Sequence, residues 1–353
     1  MVHSVNNEEF EELAFEEQCK IVAEVPFAQR GELITRSQDP ERLVMACAAE
    51  ELYLMVREMD SATIPEIIQY AHVSQLQFIA DFECWNDDMI CKKGFLRWLE
   101  YLEEAGDDKL EQWLLIADES MLIAGFQQYV TVLKPYHEET VDDVIGDHPY
   151  FTIDGLYYVM IDEENMAIIQ RALEVLFERN RRVYISLLEG IMSEIHDCIS
   201  EEAFQLRTVR LSEKGFPQKE SAGSIYRPLT PEEWERQSRR PASSADGEKD
   251  TRILVSLPAL WHAEKLFFDD VMATFAAASP AVVSALYQEL VWVSNKIIIV
   301  RGMEHFGAEQ MHAAFAHVRS VLNIALEELS KGDIAAARAF VVERWIEYLF
   351  RWG

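Results

Sequence analysis

Arg207 and Arg210 stand three apart in a stretch of helical periodicity, so they share one helix face. Two guanidinium groups on one face can grip a carboxylate or a phosphate bidentately. Glu202 lies on the same stretch, and Tyr226 follows where the chain could fold back on it. These four residues form the candidate ligand site, and none of them is assigned a catalytic role. The same charges have a plainer use, an internal ion-pair network stitching the helix to the linker that follows. Structural ion pairs outnumber ligand sites.

Other chemistry is scarce. Glu309 and His312 make an ExxH motif, but a di-iron bundle needs two such motifs and two further Glu-bearing helices. No second ExxH occurs, so no metal site is expected. His262-Ala263-Glu264 resembles the HxE of zinc deaminases without the PCxxC that must accompany it. Neither GxGxxG, GxxxxGK[ST] nor GxSxG is present, so no nucleotide cofactor and no serine elbow are expected. Acid pairs such as Asp87-Asp88, Asp107-Asp108, Asp142-Asp143 and Asp269-Asp270 read as caps or surface. Trp85, Trp98, Trp113, Trp261, Trp292, Trp345 and Trp352 read as core packing. Five cysteines, an odd number without CxxC, point to reduced thiols in a cytoplasmic protein. Cys84 and Cys91, seven apart, fall roughly on one helix face, and no paired His makes them a zinc site.

The chain is organised around Arg181–Pro231. Val183, Tyr184, Leu187, Leu188, Ile191, Met192, Ile195 and Ile199 mark one face of a long helix that continues through a polar run to Leu211. Gly215-Phe216-Pro217 stops it, Gly supplying the left-handed residue and Pro barring continuation. Upstream, Glu8–Val25 reads as a helix, and Asp39-Pro40-Glu41 starts another. Residues 43–129 read as helices of about ten residues, too short to stand alone, which must stack as in a helical repeat. Tyr150–Ile161, aromatic and β-branched about Asp154-Gly155, reads as a two-residue hairpin, with Tyr129–Leu133 as a possible third strand. Thr230-Pro231-Glu232-Glu233 is a capping box. Pro241–Asp250 is the best candidate for disorder. The C-terminal part reads as four helices: Leu260–Ala277, Pro280–Arg301, Gly307–Leu329 and Asp333–Arg351. The last of these buries Ile334, Ala337, Val341, Trp345, Tyr348 and Leu349.

The expected fold is therefore mainly α: an N-terminal short-helix, solenoid-like repeat domain with one small β-hairpin, then a C-terminal antiparallel helical bundle. The expected domains are residues 1–130 (helical repeat), 131–231 (hairpin and hub helix), 232–252 (flexible linker) and 253–353 (four-helix bundle). At 353 residues, two domains of ordinary size are the prior. The formal net charge of -30 disfavours nucleic acid and anionic lipid as partners. Segment Arg207–Arg252 is the exception, with ten basic residues against eight acidic ones. Met1–Glu17 holds six acidic residues and no apolar core, so no secretory signal is read. Val282–Val300 and Leu266–Ala278, the most apolar windows, are interrupted by charges and are not membrane spans.

The hub run Glu201-Glu202-Ala203-Phe204, with Arg207, Arg210-Leu211, Gly215-Phe216-Pro217 and Ile225-Tyr226, resembles the signature of an uncharacterised family of acidic bacterial helical proteins. Glu51–Val56, Gln75–Ile79 and Phe151–Gly155 fit the same family, and together they cover most of residues 43–231. Ser221-Ala222 departs from the Glu-Ala of that pattern. The resemblance implies a fold and no activity. Residues 43–129 are also similar to the short-helix repeats of the MgtE magnesium transporter N domain and of flagellar FliG.

Three functions are compatible with these features. The first is a non-enzymatic cytoplasmic scaffold or regulatory protein acting through a protein partner, a second copy included. The second is a small-ligand binder or enzyme with an anion pocket at Arg207, Arg210, Tyr226 and Glu202. The third is a regulator responsive to divalent cations.

Overall fold

The computed structural model describes residues 10–135, 146, 148–236, 265–302 and 306–353. They are mainly α-helical, with two small antiparallel sheets. The disorder expected at Pro241–Asp250, the first turn of Leu260–Ala277, Trp261, His262–Glu264 and Asp142-Asp143 lie outside the described residues. None of the described helices is long and apolar enough to cross a membrane. The chain packs as two units, one of residues 39–45 and 59–210, the other built from both ends of the sequence.

The first unit stacks short amphipathic helices. Val73–Glu83, Lys92–Ala105, Asp107–Ile116 and Glu163–Arg179 pack on one another, and Glu119–Gln127 packs on Arg181–Ser193. Trp98 and Trp113 are fully buried and meet edge to face at 6.2 Å, and Phe95 lies edge-on to Phe126 at 5.5 Å. Burying such a ring contributes about 2 kcal/mol or more, which helices of ten residues cannot supply through propensity. Arg171 pairs with Asp107, and Arg179 with Asp108 and Glu111, fastening Glu163–Arg179 along Asp107–Ile116.

The hub is two helices, Arg181–Ser193 and His196–Glu213, not one. Glu194 is extended at the break. No Gly or Pro signals it. Gln127 supports it instead: its Nε2 donates to the carbonyls of Ile191 at 3.2 Å and Glu194 at 3.0 Å, and its Oε1 faces His196 Nδ1 at 3.0 Å. The stop downstream is as expected. Gly215 has φ 84°, and the Phe216 amide donates to the Leu211 carbonyl at 2.8 Å, satisfying an orphan carbonyl of the last turn.

The larger sheet runs Val130–Leu133, Tyr158–Ile161, Tyr150–Phe151. The third strand is real and pairs Val130 with Ile161. The tight Asp-Gly hairpin is not. Phe151 pairs with Val159, and Asp154 Oδ1 accepts from the amides of Leu156 and Tyr157, closing a wider turn with Gly155 at φ 71°. A second sheet, Trp85–Asn86 with Met89–Ile90, turns through Asp87-Asp88. Cys84 and Cys91 flank this hairpin; they do not share a helix face, because the helix ends at Glu83.

The second unit joins residues 10–38 and 46–58 to the described residues from Leu211 to Gly353. The helix read over Glu8–Val25 is interrupted: Phe10 and Glu11 are helical, Ala14 is extended, and a second helix runs Phe15–Glu24. Tyr53 of helix Ala49–Glu58 meets Phe306 at 5.1 Å, and Phe306 stacks on Phe216 at 5.6 Å. Arg30 is buried beside Glu51 at 3.6 Å and donates to the Val25 carbonyl at 2.7 Å. Helices Pro280–Val300 and Ala308–Ser330 form the long pair, with Phe267–Ala273 against the second of them. The expected last helix is broken at Arg344 into Ile334–Glu343 and Ile346–Trp352. The Ile346 amide then donates to Glu289 Oε2 at 3.0 Å, and Trp345 and Ile334 are exposed instead of filling the core. The capping box at Thr230 closes as expected, with both bonds near 3 Å: Glu233 amide to Thr230 Oγ1 at 3.1 Å, Thr230 amide to Glu233 Oε2 at 3.0 Å.

Candidate functional site

The helical phase of His196–Glu213 turns Ile199, Ala203, Arg207 and Leu211 inward. Arg207 is therefore 8% exposed, carried into the unit by the apolar residues a turn either side of it. Its Nε donates to the Asp81 carbonyl at 2.6 Å and Nη1 to the Asp87 carbonyl at 3.0 Å. The guanidinium lies 5.0 Å from the Trp85 ring centroid, a cation–π distance. Arg207 thus holds the end of one helix and the turn of the small hairpin at once.

One turn on, Arg210 forks onto the Asp81 carboxylate, Nη2 to Oδ1 at 2.7 Å and Nε to Oδ2 at 3.0 Å. Its Nη1 donates to Asp118. Gln77 Nε2 adds a bond to Asp81 Oδ1 at 3.0 Å. Burial raises the Asp81 carboxyl above its ordinary range, while the bonds from Arg210 and Gln77 and the charge of Arg207 act against it. Burial opposes the Arg210 charge as well, but Asp81 and Asp118 outweigh it and raise its pKa. The bidentate geometry is that of an ionised pair in which the acid is carried by the chain itself.

Arg207 and Arg210 are brought together, as their spacing requires. Glu202 faces solvent on the same helix. Tyr226 belongs to the other unit, where its ring meets Phe350 at 6.1 Å and His317 at 6.3 Å. The ion pairs of Arg210 run to Asp81 and Asp118. Both acids lie far upstream as single residues in helical stretches, so spacing could not mark them. The only local signal is Asp118, placed just before helix Glu119–Gln127 where a cap would stand; its carboxylate goes to Arg210, with no cap bond.

Among the described residues, no three His, Cys, Asp or Glu side chains gather as a metal ion would require. A cavity of about 270 Å³ lies between Phe267–Ala273 and Pro280–Val300, lined by Met272, Phe275, Val283, Leu286 and Tyr287. Its lining is mostly apolar, and none of the four candidate residues borders it.

Comparison with curated proteins and with solved structures finds no match. A model described as Family of unknown function (DUF6178) matches residues 7–353, and the chain belongs to that family.

Proposed function

We propose that this chain is a non-enzymatic cytoplasmic scaffold or regulatory protein that works by binding another protein through its helical surface. The observation that carries this reading is an apolar stripe on the hub. Ile185 and Met192, a heptad apart on Arg181–Ser193, are 39% and 40% exposed, and Ile195 just beyond is 69% exposed. Ile185 and Met192 share a helix face, Ile195 follows the break at Glu194, and the three together offer a partner apolar surface. Glu189, between Ile185 and Met192, is paired with Lys134 at 2.7 Å, which lowers the charge of the stripe. The net charge of -30 favours a basic partner, through faster encounter at low salt.

The anion-pocket reading draws on Arg207, Arg210, Glu202 and Tyr226. Internal engagement of both arginines supports a structural use for them instead.

The test is affinity purification from native extract with the wild type and with an Ile185→Ser/Met192→Ser/Ile195→Ser variant of unchanged melting temperature. A specific, stoichiometric partner lost in the variant is the expected result. An identical set of co-purifying proteins with both baits would reject the stripe.

A further inference from the structure

We propose that Cys84 and Cys91 are a reversible dithiol–disulfide modification site, oxidised by small-molecule disulfides of the glutathione class. Trp85 pairs with Ile90 and Asn86 with Met89 in the small hairpin. One step outward Cys84, the C-cap of helix Val73–Glu83, meets Cys91 at the base of the hairpin: the Cys91 amide donates to the Cys84 carbonyl at 2.8 Å, while the Cys84 amide donates back to the Ala80 carbonyl. A direct N–H···O bond of that length keeps the two Cα atoms within about 6.7 Å, inside the roughly 4.4–6.8 Å that a disulfide spans. Neither helix nor loop would hold residues seven apart in that way; the hairpin does.

The surroundings fit a site that is held in place and opens on one side. Arg207 bonds the carbonyls of Asp81 and Asp87 and covers Trp85, so the helix end and the hairpin turn are fastened on both sides of Cys84. Cys84 is wholly buried and Cys91 only partly so. Burial pushes the Cys84 thiol well above its ordinary range, so Cys91 is the thiol that meets solvent reagents.

Cys91 thiolate attacks one sulfur of the external disulfide, forming a mixed disulfide and expelling one small thiolate. Cys84, giving up its proton, then attacks Cys91 Sγ and expels the second small thiolate. Two protein thiols are oxidised by two electrons, and one external disulfide is reduced to two thiols, which take up the two protons.

The experiment uses the full-length protein in glutathione buffers ranging from fully reduced to fully oxidised. Thiols are blocked by alkylation in denaturant, and the peptides are mapped by mass. Cleavage at Asp87 and Asp88 separates the two cysteines. In oxidising buffer the peptides should remain joined through Cys84 and Cys91, lighter by two hydrogens, and should separate on reduction. Cys84→Ser should stop at a glutathione adduct on Cys91. The proposal is overturned if the folded wild type keeps both thiols alkylatable in fully oxidised buffer. It is equally overturned if Cys91 ends as a stable glutathione adduct or joins another cysteine.

Discussion

Arg210 engages all three guanidinium nitrogens, two on Asp81 and one on Asp118. Asp81 is 2% exposed, so removing its partner strands a buried carboxylate. Arg210→Ala should cost about 3 kcal/mol, near the lower end for breaking a buried pair, measured by urea denaturation. Arg210→Lys keeps the charge without the fork and should recover only part of it. If Arg210 instead served an external anion, Arg210→Ala would leave stability unchanged. Thiol reactivity should sort by environment. Cys198 is exposed and should react first with a neutral thiol reagent. Cys47 is half-buried and its thiol is pushed up to about 12 by desolvation, so it should react slowly, whereas Cys84 is buried outright and should label only after unfolding. Mass mapping of a timed alkylation reads the order.

Gln127 shows why the boundaries of elements escaped the linear pattern. Its side chain supplies the donors that let the chain open between Ser193 and His196, although the apolar spacing runs on through Ile195 and Ile199. Gln127→Ala should therefore cost about 1–2 kcal/mol, since two carbonyls lose their partner, with helical content by circular dichroism little changed. Gly190 carries the close approach of Arg181–Ser193 to Glu119–Gln127, and Gly125 that of Glu119–Gln127 to Lys92–Ala105. A Cβ on Gly125 would enter the Phe95 ring, and one on Gly190 would strike Ile123. Gly125→Ala and Gly190→Ala should each destabilise by about 1–3 kcal/mol despite the better helix propensity of Ala, as over-packing does. A stabilising effect in denaturant titrations would show that the helices can part at no cost. Local signals were reliable where the partner lay within a few residues, as at Thr230–Glu233, Asp333 and Gly215.

The second unit gathers both ends of the described chain around Tyr53, Phe306 and Phe216. Tyr53→Ala should cost about 3–5 kcal/mol as a large-to-small change at a fully buried ring. Hydrogen exchange should rise together in Ala49–Glu58 and in Ala308–Ser330, since both rest on one core; a rise confined to Ala49–Glu58 would refute that. Charge acts on the molecule as a whole. At -30 the surface repels itself, so the melting temperature should climb as salt goes from about 0.01 M to 0.15 M and the Debye length falls from about 30 Å to 8 Å.

The helical class, the caps, the stop at Gly215-Phe216-Pro217 and the shared face of Arg207 and Arg210 all follow from residues within a turn or two of one another. The chain states them directly, because periodicity and capping are short-range. The partners of those arginines do not follow in this way. Asp81 and Asp118 lie 129 and 92 residues from Arg210, and no local chemistry distinguishes them from other acids. The opposition of Cys84 and Cys91, the break at Glu194 and the joining of Tyr53 to Phe306 are of the same kind. Each rests on contacts whose partners are selected by packing, which only the folded chain brings within reach.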